Sequence, residues 1–559
     1  MKLKALVTIS LALALTGMAQ TNIVVPETDT GKAIRPLALE DCIMIALEHN
    51  FDVQIERYSP IASRYDLAGS YGSYEPTLSL SGEHDYSLSP GGVDSQGRAY
   101  TGNETENDRF NASLQGLLPW GTTYSLGASM SDQTVTRSLS ITDPTIPVGT
   151  YTNVFYDATA GQTISLVSTN YATTTIRSPF ETVSGSVGAL TLRQPLLKNF
   201  WIDSTRYQIY ANRKSLRISE EAFRSQLMVT VTSVESAYYN LAYAEDSVAV
   251  QEKALELAQR LLSENKKRVQ VGALAPLDEK QAESQVASSQ ADLLAAEASR
   301  DTAQRVLKNL LSDDYTNDWA GVAIKPTDRL LAMPQEYNLQ ESWRKGLAQS
   351  PALIMARLGL DISKQNVRLL RNQLFPQLDL IGSYGYAGSS DSYDGTFKQL
   401  GGGDNPFWTF GAQLSIPLGE RSARNSYKAA KASHEQSALK LKQQEQTLLI
   451  TIENDIASSK TAFERVDATR EARAYAEAAL EAEQKKLESG KSTSFVVLQL
   501  QKDLTTARGS EIRALADYNI AVAQLALDEG TTLERHHIDL RMDSLKANME
   551  SPPNTQWQP

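Results

Sequence analysis

Two stretches of this chain carry the same punctuation. Leu39 opens Leu-Glu-Asp-Cys-Ile-Met-Ile-Ala-Leu-Glu-His-Asn, ending at Asn50, and Leu339 opens Leu-Gln-Glu-Ser-Trp-Arg-Lys-Gly-Leu-Ala-Gln-Ser, ending at Ser350. Each has apolar residues at helical spacing and stops at a turn-forming residue. Pro76 lies 37 residues after Leu39, and Pro376 lies 37 after Leu339. Alternating strands follow each proline and return at a second one, Pro195 and Pro417. Then come 77 residues from Pro195 to Gly272 and 73 from Pro417 to Gly490, almost free of Gly and Pro and rich in Ala, Leu, Glu, Gln, Lys and Arg. That composition predicts long helices, with a shorter partner helix after each glycine. A unit of helix, strand hairpin, long helix, tip and returning helix therefore occurs twice.

A helix of about 65 residues spans roughly 100 Å. Its heptad-like apolar residues (Val229, Val231, Val234, Ala237, Leu241; Leu448, Ile452, Ile456) require partner helices. A cytoskeletal coiled coil would not interleave strands.

The strands alternate. Trp408, Phe410, Ala412, Leu414 and Ile416 share one face, and Thr409, Gly411, Gln413 and Ser415 the other. Leu378, Leu380, Tyr384 and Tyr386 alternate against Asp379, Ser383 and Gly385; Phe110, Ala112 and Leu114 against Asn111, Ser113 and Gln115; Tyr124, Leu126, Ala128 and Met130 against Thr123, Ser125, Gly127 and Ser129. One apolar and one small-polar face fits an outer-membrane barrel; a soluble β-sandwich gives the same alternation. Aromatic strand ends and long Ser/Thr/Gly-rich stretches (87–107 and 133–184), read as exposed loops, favour the barrel. Two strands per unit give four per chain, too few to close a barrel, so copies must join. The first hairpin has 119 residues between its prolines against 41 in the second, and Pro119-Trp120-Gly121-Thr122 reads as a turn between two further strands. Either that pair joins the wall, giving six strands per chain and 18 in a trimer rather than 12, or it lies outside it.

The N-terminus runs Met-Lys-Leu-Lys, then apolar to Ala14, then Thr16-Gly17-Met18-Ala19, which reads as a signal peptide over 1–19, with no following cysteine for a lipid anchor. Nowhere are about 18 consecutive apolar residues found. The 66 acidic against 54 basic residues give a net charge of −12, which argues against nucleic-acid binding. The lone Cys42 excludes intrachain disulfides and cysteine zinc sites, and is expected buried and inert. No phosphate loop, nucleophile elbow or paired-histidine metal motif is present; Gly401-Gly402-Gly403-Asp404 reads as a hairpin loop and His536-His537 as part of a solvated tail. No catalytic residue, metal or cofactor is expected.

The chain resembles the TolC family of outer-membrane efflux proteins over about Leu39 to Gly530. The resemblance rests on the tandem organisation, the proline-bounded hairpins and two tip motifs, Arg268-Val-Gln-Val-Gly272-Ala-Leu-Ala-Pro-Leu-Asp278 and Lys486-Leu-Glu-Ser-Gly490-Lys-Ser-Thr-Ser-Phe-Val. It implies a mainly α fold with a membrane β-barrel part, assembling as a homotrimeric β-barrel plus α-helical barrel. It further implies an outer membrane of Gram-negative type contacted through its lipid, rods crossing the periplasm, and a periplasmic adaptor and inner-membrane pump as partners, with drugs, metals or secreted polypeptides as cargo. The divisions expected are a linker at 20–36; a first repeat at 37–312 with strands within 77–194 and long helices at 198–271 and 276–312; an equatorial segment at 313–338; a second repeat at 339–530 with strands within 377–416 and helices at 420–489 and 493–528; and a tail at 531–559.

At the tips, glycine supplies the positive φ that ends a helix. Asp278 is either a helix-end carboxylate or, as the resemblance implies, one of a ring narrowing the entrance. Well-known family members carry Val-Asp-Val-Leu-Asp at the second tip; here Phe495-Val496-Val497-Leu498-Gln499 lacks both acids. Phe495 or Val496 then forms an apolar constriction or packs in the helical seam. Val271, Gly272, Ala273, Leu274 and Ser489, Gly490, Lys491, Ser492 are the expected adaptor contacts. A diffusion porin would need no rods; an adhesive spacer with coiled coils remains the other alternative.

Overall fold

The computed structural model describes residues 33–93, 99–272 and 274–538. The expected signal peptide, Ala273 and the last residues of the expected tail lie outside them. The first half runs β1 (Ala33–Leu37), α1 (Leu39–His49), α2 (Phe51–Ser70), β2 (Thr77–Leu88), a small hairpin of β3 (Gly92–Val93) and β4 (Ala99–Tyr100), β5 (Glu104–Leu117), β6 (Thr123–Asp157), β7 (Gln162–Pro195), α3 (Ser204–Gln270) and α4 (Pro276–Leu311). The second runs β8 (Val322–Pro326), α5 (Leu339–Gln349), α6 (Pro351–Asn372), β9 (Gln377–Ser390), α7 (Tyr393–Gly402), β10 (Pro406–Ser415), α8 (Arg421–Glu488), α9 (Ser494–Glu529) and α10 (Thr532–Arg535).

Local chemistry sets the repeated entry. Asn50 ends α1, and its Oδ1 accepts the Asp52 and Val53 N–H groups that open α2. Ser350 holds the same place before α6, followed by Pro351 at the first helical position. The rods α3 and α8 have 67 and 68 residues and the returning helices 36 each. Asp203 caps α3 by accepting from the Arg206 N–H at 2.7 Å. The buried stripe of α3 is Phe223, Leu227, Val231, Val234, Tyr238 and Leu241, spaced three and four apart as helix packing demands. Val229, counted above among the seam residues, is exposed, because it falls one position off that stripe.

α6 lies between α3 and α8, tied by Lys214–Asp361 at 2.9 Å and Arg357–Glu445 at 3.2 Å. Its counterpart α2 packs on α3 alone among the rods, leaving Phe51, Ile55, Tyr58 and Tyr65 exposed on its other flank.

Six strands form one antiparallel sheet in the order β10-β9-β7-β6-β5-β2. The extra pair of the first half, β5 and β6, thus lies inside the sheet, not outside its wall. The expected loop at 133–184 is instead continuous strand, β6 and β7 pairing from Asp157↔Gln162 down to Thr123↔Arg193. Its Thr, Val, Ile and Tyr content is strand chemistry that the high Ser/Thr count disguised. The expected glycine loop at 401–404 is also corrected: α7 runs to Gly402, and Gly403 at φ 71° closes it.

Around the middle of the rods, the expected linker and tail are partly structured. β1 pairs in parallel with β8. The Tyr238 hydroxyl, buried on α3, bonds Leu37 O and Asp328 Oδ2 and accepts the Thr327 and Asp328 N–H groups. That one phenol ties the N-terminal strand and the inter-repeat segment to the rod. The histidine of the expected solvated tail, His536, sits 3.0 Å from fully buried Glu235, and Leu533 joins the core beside Leu37 and Val234. A buried carboxylate needs a partner, and the segment just after α10 supplies it. Cys42 is fully buried, and burial pushes its thiol up to about 12.

Candidate functional site

Two regions carry the arrangement from which function is read: the helical tips and the sheet. The first tip closes when the Gly272 N–H donates to Val269 O at φ 76°. α4 restarts at Pro276, with Asp278 Oδ2 accepting the Ala275 N–H at 3.2 Å. The second tip is a full Schellman closure: Lys491 N–H to Lys486 O, Gly490 N–H to Leu487 O, and Gly490 at φ 73°. Ser492 Oγ donates to Glu483 at 2.6 Å, and Lys486 pairs with the same carboxylate. Lys486 and the Ser492 hydroxyl hold Glu483 below the usual carboxylate range, and Lys280 with Lys266 does the same for Glu283.

The tips are joined. Asn265, fully buried on α3, donates to Asp278 O at 3.4 Å and accepts from Ser494 Oγ of α9 at 3.1 Å. Around it Leu261, Leu480, Leu487, Val497, Leu498 and Leu504 form a sealed cluster. The seam is therefore filled by Val497 and Leu498, while Phe495 and Val496 stay exposed. Gln499 is exposed and donates to Asp503 along its own helix at 2.9 Å. Val271, Gly272, Ser489, Gly490 and Lys491 are exposed at the turns, and Leu274 and Ser492 half-buried.

Counting from each tip glycine exposes a correspondence. Asp278 stands six residues past Gly272, and Val496 six past Gly490. One position earlier stand Leu277 and Phe495, both exposed. Asn265, seven before Gly272, matches Glu483. Leu277, Asn265 and Glu483 were not singled out from sequence, although aligning the two halves on their glycines finds all three.

In the sheet, residues facing each other across an antiparallel ladder point to the same side. Leu78, Leu114, Leu126, Leu190, Tyr384 and Trp408 form one continuous row across all six strands. The neighbouring row is Thr77, Gln115, Ser125, Thr191, Ser383 and Thr409. The alternation seen along each strand is thus in register across the whole wall. Apolar rows continue on the first face from Tyr124, Leu192 and Phe410 to Phe110 and Met130, a band of about 20 Å. It gives way to His84, Asp108 and Asp132 at one end. At the other, exposed Trp120, Trp201 and Phe375 gather near the start of the rods. An apolar band edged by aromatics is the pattern that the lipid-facing side of an outer-membrane barrel carries. No described helix is long and apolar enough to cross a membrane. A cavity of about 860 Å³ lies on this apolar face, where Phe397 and Leu400 of α7 overhang Leu80, Phe110 and Met130. On the opposite face, where β9 meets β7, Arg193 donates to Asp379, whose side chain is buried.

The outer membrane efflux protein family model matches residues 158–312 and 344–529. Among curated proteins, the outer membrane protein TolC of Vibrio cholerae is 23% identical over 328 residues, which cover 58% of this chain and 73% of that protein. The proteases secretion protein PrtF of Dickeya chrysanthemi is 23% identical over 325 residues, 58% of this chain and 68% of its own length. Among solved structures, the Campylobacter jejuni CmeC outer membrane channel superposes with a TM-score of 0.60 at 14% identity, covering 92% of this chain and 88% of that one.

Proposed function

Since the chain belongs to the outer membrane efflux protein family, a family of channel proteins, we propose that three copies form a duct across the outer membrane and the periplasm. The observation that carries this is the six-stranded wall with one apolar and one small-polar face, mounted on rods of 67 and 68 residues. Among the described residues its edges, β2 and β10, each lack a second neighbour, and pairing β10 of one copy with β2 of the next removes every edge. Six strands from each of three copies make 18, a size that leaves a water-filled lumen. The same step covers the bare flank of α2: α6 is held between α3 and α8, and by repeat symmetry α2 sits between its own α3 and the next copy's α8.

In this reading the polar rows face the lumen and the tips form the periplasmic entrance. Asp278 and Val496 stand at one height, so the entrance alternates a carboxylate with an apolar side chain, and Leu277 and Phe495 add a second, wholly apolar level. The tip turns at Val271–Leu274 and Ser489–Ser492 meet the periplasmic adaptor, which links the duct to an inner-membrane pump. Gln499 is committed to Asp503 and contributes polarity at the entrance. The protein is exported to the outer membrane of a Gram-negative-type cell and works without a cofactor.

The test is reconstitution of the purified full-length protein in a planar bilayer, with native mass measured in parallel. A trimer with discrete conductance steps is expected; a monomer, or an oligomer without conductance, as for an adhesive spacer, would sink the reading. In the same bilayer Asp278→Ala should weaken cation preference, and Val496→Ser should raise conductance. No change in either removes both residues from the entrance.

A further inference from the structure

The apolar face of the sheet changes its build along the strands. Near the rods, Leu78, Leu114, Leu126 and Leu190 stand side by side. Toward the other end of the band, the rows read Leu80, Ala112 and Ala128, and then Gly82, Phe110, Met130, Gly185 and Gly388. Small residues in the middle of an apolar face leave a hollow where leucines would fill the space.

α7 walls one side of that hollow. The helix is seated on β9 and β7, and two glycines let it approach. A Cβ at Gly388 would stand 3.0 Å from Thr396 O and 3.2 Å from Leu400, and one at Gly185 3.4 Å from Leu400. Fully buried Thr396 donates to Val183 O at 2.7 Å, and the Gln399 amide bonds both the N–H and the C=O of Ser389 at 3.0 Å. Held in this way, α7 carries Phe397 and Leu400 out over Phe110 and Met130, and the cavity of about 860 Å³ lies between helix and strands. Its size and mostly apolar lining are those of a pre-formed site for a small apolar ligand. Phe397 lines it while 59% exposed, an aromatic ring that the fold holds in place without covering.

Position and charge name the occupant. The hollow opens on the apolar face, away from the polar rows, so under the duct reading above, on which this inference rests, it faces lipid and not cargo in the lumen. In that reading the next copy joins at the β2 edge through its β10 and seats its α7 on its own β9 and β7, which leaves β5 and β6 uncovered. Just beyond the hollow, on the same face, stand His84, Asp108 and Asp132, then Glu106 and Glu181. His84 is paired with Asp108 at 2.7 Å, and Lys398, the one cation of α7, with Asp394 at 2.6 Å. Carboxylates thus dominate this level, which attracts an ammonium group and repels an anionic headgroup.

We infer that the hollow beside α7 is a lipid site, which takes an acyl chain of one bilayer lipid with an ammonium-bearing headgroup at the outer-leaflet end of the barrel. The chain fills the space over Ala112 and Ala128 and lies against Phe397, Phe110 and Met130. The ammonium meets the carboxylates of Asp132, Glu106 and Glu181.

The test is photolabelling of the purified full-length protein in vesicles of phosphatidylethanolamine and phosphatidylglycerol, with native mass measured in parallel. The probe is phosphatidylethanolamine with a diazirine in its acyl chain. Adducts on α7 and β5 should exceed those on β10, whose Trp408 and Phe410 lie in the same apolar band, by about tenfold, because a pre-formed groove holds a chain that the flat wall does not. Ala128→Trp, and separately Ala112→Leu, fill the hollow and should bring α7 labelling down to the β10 level in a trimer of normal mass. A phosphatidylglycerol probe with the same acyl diazirine should label α7 about fivefold less, the scale of exposed charge pairing. Even labelling along the band, an α7 that takes no label because protein closes the hollow, or labelling unchanged in both filled trimers overturns the site and leaves the duct standing. Equal labelling by the two probes overturns the ammonium headgroup. Absence of a trimer overturns the duct reading itself.

Discussion

The two halves of the chain build rods of 67 and 68 residues, yet one half gives the sheet four strands and the other two. The difference separates two kinds of constraint. Rods that lie side by side and end in joined tips must match in length, since a surplus turn in one would tear Asn265 from Ser494. Hairpins are fixed only at their base, where Pro195 and Asp379 stand opposite each other. Beyond it, strands can be added in pairs without disturbing the helices, and the first half has added one pair and lengthened another.

If the rods are equivalent, they should fail alike. Val234→Pro and Ile456→Pro, both at buried rod positions, should each destabilise by about 3 kcal/mol or more and abolish the trimer on a native gel. An insertion at the β6–β7 turn, Asp157–Gln162, should leave assembly unchanged. A rod that tolerates proline would end the equivalence.

The tip bridge is the next sharpest comparison, because Asn265 has Glu483 as its counterpart. Asn265→Leu strands the buried Ser494 hydroxyl and should cost about 1–3 kcal/mol, read as a lower unfolding midpoint and a higher open probability. Glu483→Gln, at the half-buried counterpart, keeps a side chain that can still accept from Ser492 and should change the midpoint little. Equal effects would mean that the bridge is not what joins the tips.

A third difference lies near the foot of the helices. Thirty-eight residues past each tip glycine stand Leu310 and Asp528, and 35 before them Ala237 and Asp455. The second half thus places two carboxylates where the first has apolar side chains. Asp455 Oδ2 is buried with no donor. Burial first, then Asp528, pushes Asp455 from 3.8 up to about 7. The folded state keeps a proton that the unfolded chain loses near pH 4, so stability falls as pH rises from about 4 to 7. Asp455→Asn should flatten that slope and raise the melting temperature at pH 8, where the buried Asp455 carboxyl has lost its proton. A slope identical to wild type would show that the carboxylates do not share a proton.

The smallest expected effect is at the tip glycines. Gly272→Ala and Gly490→Ala place a Cβ in the left-handed region and should cost about 1 kcal/mol each, because open space surrounds both positions and only the backbone is strained. Unequal losses would show that one tip carries strain the other does not.

Much of this was legible in the chain itself. The 37-residue spacing, the paired prolines and the two tip glycines are local signals, and the elements they bound follow from helix and strand periodicity. The alternation of Trp408 to Ile416 gave the two faces of the wall before any register was known. What misled was composition: Ser and Thr made β6 and β7 look like loop, and the glycines at 401–403 hid the end of a helix.

Sequence by itself determined the tandem unit, the length of the rods and the two-faced character of the strands, since each depends on residues close together along the chain. Only the tertiary structure decided that β5 and β6 join the six-stranded sheet, that Asn265 bridges the tips and that His536 pairs with Glu235. Each of these is a pairing between distant residues, often more than a hundred apart, and periodicity along one strand or helix carries no information about which partner it will meet.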